Sequence, residues 1–298
     1  MPATTGQFSS LMAPGLRKVI FQELDETQQV YNKIFNVGTS NRKYEDDQQI
    51  TGLGLVPEKP EGVAIEYSDP SESYSKRYTH TAYGLGIRIT REMYKDDQYG
   101  IAKRWAGALG RSANATIETQ AMNIFNNGFT DTGPDGSVLC VTTHTLKGTG
   151  GTSSNAPTAA ADLSVASLEA GLTAFRNIRD DQNLRTTTRP AILLVSPNDE
   201  FTALKIVQTP QEPFNANNTV NIISRRGLQV IVGDYLTDTD AWFLLGKPSD
   251  TQLNFLWRER PWMDNDDDFN TKDLLYTIYF RFSVGYSDWR GVYGTAGA

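Results

Sequence analysis

The chain has 298 residues, 39% of them hydrophobic and 21% charged, enough apolar material for a core and too mixed for a disordered, collagen-like or coiled-coil chain. Twenty-eight Lys and Arg against 35 Asp and Glu leave a net charge of −7, which argues against a protein that grips nucleic acid over its whole surface but leaves a local basic face open. One cysteine, Cys140, excludes an internal disulfide, and the longest apolar runs, 191–195 and 241–245, are five residues each, far below the ~18–20 of a membrane-spanning helix.

Residues 1–14 show no basic region followed by an apolar stretch, so no secretory signal is expected and synthesis is assigned to the cytoplasm. Residues 1–50 read as a polar, extended arm with one amphipathic stretch, in which Leu16, Val19, Ile20, Leu24 and Tyr31 recur at helical spacing. Glu45, Asp46 and Asp47 read as a solvated acidic face. Alternation follows: Val63, Ile65 and Tyr67, a breaker at 68–71, then Tyr74, Lys76 and Tyr78, then Tyr83, Leu85, Ile87 and Ile89. Period-two runs either side of an Asp-Pro turn predict a long, polar, tyrosine-rich hairpin.

A helical stretch begins at Thr90, and a strict four-residue row follows: Ile101, Trp105, Leu109, Ala113, Ile117, Ala121, Phe125. The row predicts a helix of about 26 residues, roughly 39 Å long. Residues 128–160 are rich in loops, with a short strand expected over 138–143. Then helix and strand alternate: a helix over 164–180 with Leu168, Leu172, Phe175 and Ile178 on one face, a covered strand at 191–195, and a helix from 196 with Ser196 as N-cap and Pro197 at its first position. Strands are expected at 228–232, 241–245, 253–257 and 274–284, with an acidic turn at 264–268. The fold class is α+β with two sheets.

Motifs for chemistry fail in turn. Cys140 and His144 are four apart without a second ligand pair, and His80 is the only other histidine, so a zinc site or a Ser-His-Asp arrangement has few candidates. Asp264, Asp266 and Asp268 imitate the start of a calcium loop, but Phe269 and Leu275 stand where glycine and a bidentate glutamate belong. Gly84-Leu85-Gly86 and Gly52-Leu53-Gly54 lack the third glycine of a dinucleotide fingerprint, and Gly246-Lys247 lacks the leading glycine of a phosphate loop. No catalytic, cofactor or metal site is expected, and no enzyme. Lys103, Arg104 and Arg111 form a small basic face on the long helix, a candidate DNA-facing surface against the ordinary alternative of solvated pairing.

The order of parts, with several local phrases, resembles the major capsid proteins of tailed bacteriophages, the Hong Kong 97-type fold. The phrases are Ile87-Arg88-Ile89-Thr90-Arg91-Glu92-Met93, the long helix, Gly136-Ser137-Val138-Leu139, Ala191-Ile192-Leu193-Leu194-Val195-Ser196-Pro197, Ala241-Trp242-Phe243-Leu244 and Arg281-Phe282-Ser283-Val284-Gly285-Tyr286. The resemblance implies an N-terminal arm (1–50), an extended β-hairpin loop (51–90), a peripheral domain with a spine helix and sheet (91–130 and 247–290), and an α/β axial domain (131–246, with 291–298 returning to it). It implies a head protein that self-assembles as hexamers and pentamers into an icosahedral virion shell around double-stranded DNA in the bacterial host cytoplasm. A separate scaffolding protein, a portal and a decoration protein are the implied partners, with no membrane. Tyr67, Tyr74, Lys76, Arg77, Tyr78 and Tyr83 are the inter-subunit candidates, the aromatic ones as exposed amphipathic anchors. Lys59 and Lys76 lie in the loop, yet no motif identifies a crosslinking partner. An encapsulin-type nanocompartment shell and a soluble α+β enzyme remain as alternatives.

Overall fold

The computed structural model describes residues 18–20, 22, 29–96, 100–211, 220–268 and 270–298. In chain order its first elements are helix α1 (Tyr31–Ile34), strands β1 (Asn36–Thr39), β2 (Tyr44–Ile50), β3 (Glu72–Thr79) and β4 (Thr81–Ile89), and helices α2 (Arg91–Lys95) and α3 (Ile101–Asn126). Short strands β5 (His144–Thr145) and β6 (Thr152–Ser153) precede α4 (Val165–Asn177), β7 (Ile192–Val195), α5 (Glu200–Gln208), β8 (Gln229–Val232) and β9 (Trp242–Leu245). The chain closes with β10 (Leu253–Asp267), β11 (Leu274–Tyr286) and β12 (Val292–Thr295).

Two four-stranded sheets carry the core, in the orders β1-β10-β11-β4 and β12-β9-β7-β8. In the first, β1 runs parallel to β10 and the other pairs are antiparallel; α3 packs along β11 and β4. In the second, β7 and β8 are parallel, with α4 against β12 and β9 and α5 against β8 and β7. Every residue of β7 and β9 is buried, as expected for continuous apolar strands covered on both faces.

The long helix has the expected 26 residues. Leu109, Ala113, Ile117, Ala121 and Phe125 of its row are buried, but Trp105 is 43% exposed. A four-residue step overshoots one turn by ~40°, so the row winds out of the contact and Ala102 and Ala106 take its place at the N-terminal end. At the other end Phe125 touches Phe35 beside β1 (ring centroids 5.9 Å) and Phe243 of β9 (5.2 Å), so one side chain joins the two sheets.

Several expectations are corrected. The partner of 72–79 is β2, not 63–67; the register sets Asp46 opposite Arg77 and Asp47 opposite Lys76, so the acidic run, in which Asp46 is exposed, is also matched across the strands. β1 and β2 thereby belong to sheets within the stretch expected as an arm, and β4 joins a different sheet from β3. Residues 138–143 form no ladder strand, because the Asn155 side chain takes their backbone groups: Val141 N–H donates to its Oδ1 (2.9 Å) and its Nδ2 donates to Leu139 O (2.7 Å). Ser196 caps nothing with its side chain; its hydroxyl donates to Thr239 O, and a 3₁₀ turn, Pro197–Asp199, leads into α5. Strand β10 continues through Asp267, so the turn comes later, where Asp268 accepts from the backbone N–H groups of Asn270 and Thr271. Most of the expected helix over 16–31 lies outside the described residues; 18–20 are helical.

Candidate assembly surfaces

Between β2 and β3 the chain leaves the ladder. Thr51 and Ser71 close a neck with four hydrogen bonds, Thr51 N–H to Ser71 O (2.9 Å), Thr51 Oγ1 to Ser71 O (3.0 Å), Ser71 N–H to Thr51 Oγ1 (2.9 Å) and one between the two hydroxyls (3.1 Å). Beyond it, residues 52–71 form no strand and are exposed throughout. At the far end Val63 N–H donates to Pro60 O (3.3 Å), and Gly62 sits at φ +80°, the left-handed geometry that the third position of a type II turn requires. The loop presents Leu55 (82% exposed), Val56 (94%) and Tyr67 (93%), with Leu53, Val63 and Ile65 also more than half exposed. Large apolar side chains exposed together on one loop mark a site that another surface covers.

The hairpin below the neck is pinned to the body. Tyr78 is 2% exposed, so its expected place on a partner surface is corrected: it is an internal pin. Asn254 Nδ2 donates to its hydroxyl (3.2 Å), the hydroxyl donates to Ser287 Oγ (2.6 Å), and Ser287 gives its own proton to Asp47 (2.5 Å). Burial raises the Tyr78 phenol, against the pull of Ser287 and Asn254. Its aromatic ring fills the space above Gly285.

Tyr74 is half-buried within its own subunit, its hydroxyl donating to Thr145 O (3.3 Å) and Lys147 Nζ lying 5.2 Å from its ring. Tyr83 stacks on Phe280 (5.6 Å) and Phe282 (5.0 Å). Arg77 is exposed but engaged, with a two-pronged bond to Asp46 (2.6 and 2.8 Å) over the Tyr44 ring (4.2 Å); the guanidinium holds the Asp46 carboxyl below its ordinary range. Lys76 is half-buried, 6.0 Å from the Tyr286 ring. Of the six expected interface residues, Tyr67 alone stands fully in solvent. Lys103, Arg104 and Arg111 all lie on the exposed side of α3.

A buried polar hub went unnoticed in the sequence. Arg290 donates to Asp181 (2.6 Å), Asp288 (2.9 Å) and the Arg179 carbonyl (3.1 Å). Asp181 also accepts from the Ser73 hydroxyl of β3 (2.9 Å) and the Lys147 N–H (3.2 Å). Burial opposes the Arg290 charge, but Asp288 and Asp181 outweigh it and raise its pKa. One ion pair therefore ties the hairpin, the 144–153 segment and the C-terminal strand together. Glu118 is a second such group, 2% exposed on α3, accepting from Val30 N–H (2.7 Å) and Tyr31 N–H (3.4 Å) at the start of α1. Apart from Asp288 and Lys147, their partners are 87 to 111 residues away, and no local pattern announces such pairs.

His144 lies between Asp135 (2.6 Å) and Asn155 (3.1 Å), stacked 3.8 Å from Trp289. Cys140 is buried, which pushes its thiol pKa up and keeps it unreactive. Among the described residues no group of three or more His, Cys, Asp or Glu is placed to hold a metal ion, and no helix is long and apolar enough to cross a membrane.

A projecting loop on a pinned hairpin, a long helix under one sheet and a second, helix-covered sheet define the architecture. Solved structures share this architecture at low sequence identity. The capsid of cyanophage P-SCSP1u aligns at a TM-score of 0.60 with 12% identity, over 91% of this chain and 88% of that one. The virus-like particle from Pyrococcus furiosus aligns at 0.58 with 9% identity, over 95% and 98%. The procapsid of bacteriophage JBD30 aligns at 0.53 with 15% identity, over 98% and 76%. The fold is the Hong Kong 97-type capsid fold. The sequence profile described as "Phage capsid protein" matches residues 73–295, and the chain belongs to that family of structural proteins. Among curated proteins, none matches it in sequence.

Proposed function

We propose that this chain is the major head protein of a tailed phage, assembling as hexamers and pentamers into a closed icosahedral shell around double-stranded DNA, without a catalytic step. The observation that carries the proposal is the loop 52–71: exposed apolar side chains mounted on a hairpin that is itself pinned, in a member of a capsid family. About nine residues out and nine back, at ~3.3 Å each, give the loop a reach of at most ~30 Å, enough to lie across a neighbouring subunit. Covering its large apolar side chains is worth ~1.5–3 kcal/mol each before ordering costs, a contribution an isolated subunit forgoes.

In this reading α3 with β10 and β11 of the first sheet forms the peripheral domain (91–130 and 247–290) and the second sheet with its helices the axial domain (131–246 with 291–298). Assembly takes place in the host cytoplasm with a separate scaffolding protein, a portal and, in the mature virion, a decoration protein. Contacts to DNA are non-specific and confined to Lys103, Arg104 and Arg111, since a net charge of −7 keeps the wall from immobilising the genome. The test is sedimentation velocity with electron microscopy on the wild-type chain and on a variant with 53–69 replaced by a short Gly-Ser turn, which spares both β2 and β3. The wild type is expected as megadalton closed shells of the 33.1 kDa chain and the variant as a folded, slightly lighter monomer. Shells of normal yield from the variant, or a wild type that stays monomeric with its scaffolding protein, overturn the proposal.

A further inference from the structure

Four arginines, Arg176, Arg185, Arg189 and Arg226, line a cleft of about 470 Å³ between the end of α4, the segment 185–189 and the 3₁₀ turn Ile223–Arg226. All four are exposed. None forms an ion pair with a described carboxylate, and Arg189 reaches only the carbonyls of Thr186 (3.3 Å) and Thr188 (3.2 Å). One acid, Glu169, shares the lining. Gathering four guanidiniums against one carboxylate runs counter to a chain whose charge is −7. The lining is also partly apolar: Ile222 is 65% exposed in it, and Thr186 Oγ1 is buried there with no hydrogen-bond partner.

We propose that this cleft receives the 52–70 loop of a second copy of the chain, an inference that rests on the shell-forming function above. The loop carries Glu58, Glu61, Glu66 and Asp69 against Lys59 alone, interleaved with the exposed apolar residues already described. Its acids take part in no described ion pair or hydrogen bond, whereas the chain's other acidic runs are engaged at home: Asp46 on Arg77, Asp47 on Ser287, and Asp268 on the backbone of its own turn. Arginine suits the match, because its planar fork accepts a carboxylate with two parallel bonds and its face packs on apolar neighbours. A concave site with an exposed isoleucine fits a peptide segment better than the convex, uniformly anionic surface of a DNA duplex.

The experiment reverses the cleft's charge with Arg176→Glu and Arg226→Glu in the full chain, expressed with whatever scaffolding the wild type needs. Circular dichroism is expected to match the wild type while shell yield falls about tenfold or more; adding Glu58→Arg, Glu61→Arg and Glu66→Arg is expected to restore it. A second measurement reads adjacency directly: particles carrying Glu61→Cys and Arg226→Cys, once oxidised, are expected to give a ladder of covalent oligomers that neither single variant gives. Normal shell yield from the charge-reversed cleft overturns the inference, as does a missing rescue together with a missing ladder. Normal yield with reduced DNA retention assigns the cleft to phosphate instead. A wild type that forms no shells fails at the earlier step and refutes the proposed function itself.

Discussion

Arg290→Met removes the centre of the buried hub while keeping most of the side chain's packing volume. The guanidinium gives up bonds of 2.6, 2.9 and 3.1 Å, and Asp181, with a side chain 5% exposed, keeps only the Ser73 hydroxyl and the Lys147 N–H. A buried carboxylate stripped of its cation costs about 3–5 kcal/mol. At ~2.1 cal/mol/K per residue, a chain of this length has an unfolding entropy near 0.6 kcal/mol/K, so the melting temperature is expected to drop by roughly 5–8 °C. Urea unfolding of dissociated subunits, followed by circular dichroism, measures the free-energy change directly. The companion Asp181→Asn, combined with Arg290→Met, removes both charges and leaves an acceptor for Ser73 and Lys147; the double variant is expected to be at least ~2 kcal/mol more stable than additivity allows. A loss below ~1 kcal/mol for Arg290→Met, or additive behaviour of the pair, refutes the reading of this ion pair as the tie between the hairpin and the body.

Three further outcomes are expected. Burial raises the Glu118 carboxyl against the opposing bonds from Val30 and Tyr31; with the folded pKa above the unfolded ~4.3, the native state holds the proton more tightly and stability falls as pH rises through that interval. Glu118→Gln keeps the acceptor and abolishes this slope, so urea curves across acid to neutral pH that stay parallel for the two proteins contradict the assignment. Gly294→Ala places a Cβ 2.5 Å from Phe243 Cδ1 and 2.8 Å from Cys140 Sγ, and overpacking of that kind is expected to cost about 1–3 kcal/mol, seen as a lower melting temperature; an unchanged melting temperature shows that the strand yields. Arg104→Ala with Arg111→Ala is expected to give intact particles that lose DNA at lower salt than the wild type, and identical retention removes the basic face of α3 from any role toward phosphate.

Burial along the chain was legible where one residue type decides it. The Ile192–Val195 and Trp242–Leu245 strands contain nothing but apolar side chains, and the spine helix declares itself through an unbroken period. Reading failed where a side chain answers to something distant. Tyr44–Ile50 alternates polar with polar, so no apolar face marks it as a strand; only its register against Arg77 and Lys76 does. Tyr78 looks like its exposed neighbours in sequence and is buried because Asn254 and Ser287, 176 and 209 residues away, receive its hydroxyl. Val63, Ile65 and Tyr67 alternate as a strand should, yet pair with no strand among the described residues. The arginine cleft was equally hidden, since its four members come from three separate segments.

The Thr51–Ser71 neck divides the subunit mechanically. Below it every strand is laddered and the hairpin is anchored by Tyr78 and Asp181; above it a single type II turn is the only backbone hydrogen bond among the described residues 52–70. A load applied at the tip meets little resistance until it reaches the clamp, where four hydrogen bonds pass it to a stiff body. Identical copies set at different tilts can thus accommodate the difference in this one compliant tether, and the two sheets keep the same packing in every position of a curved lattice.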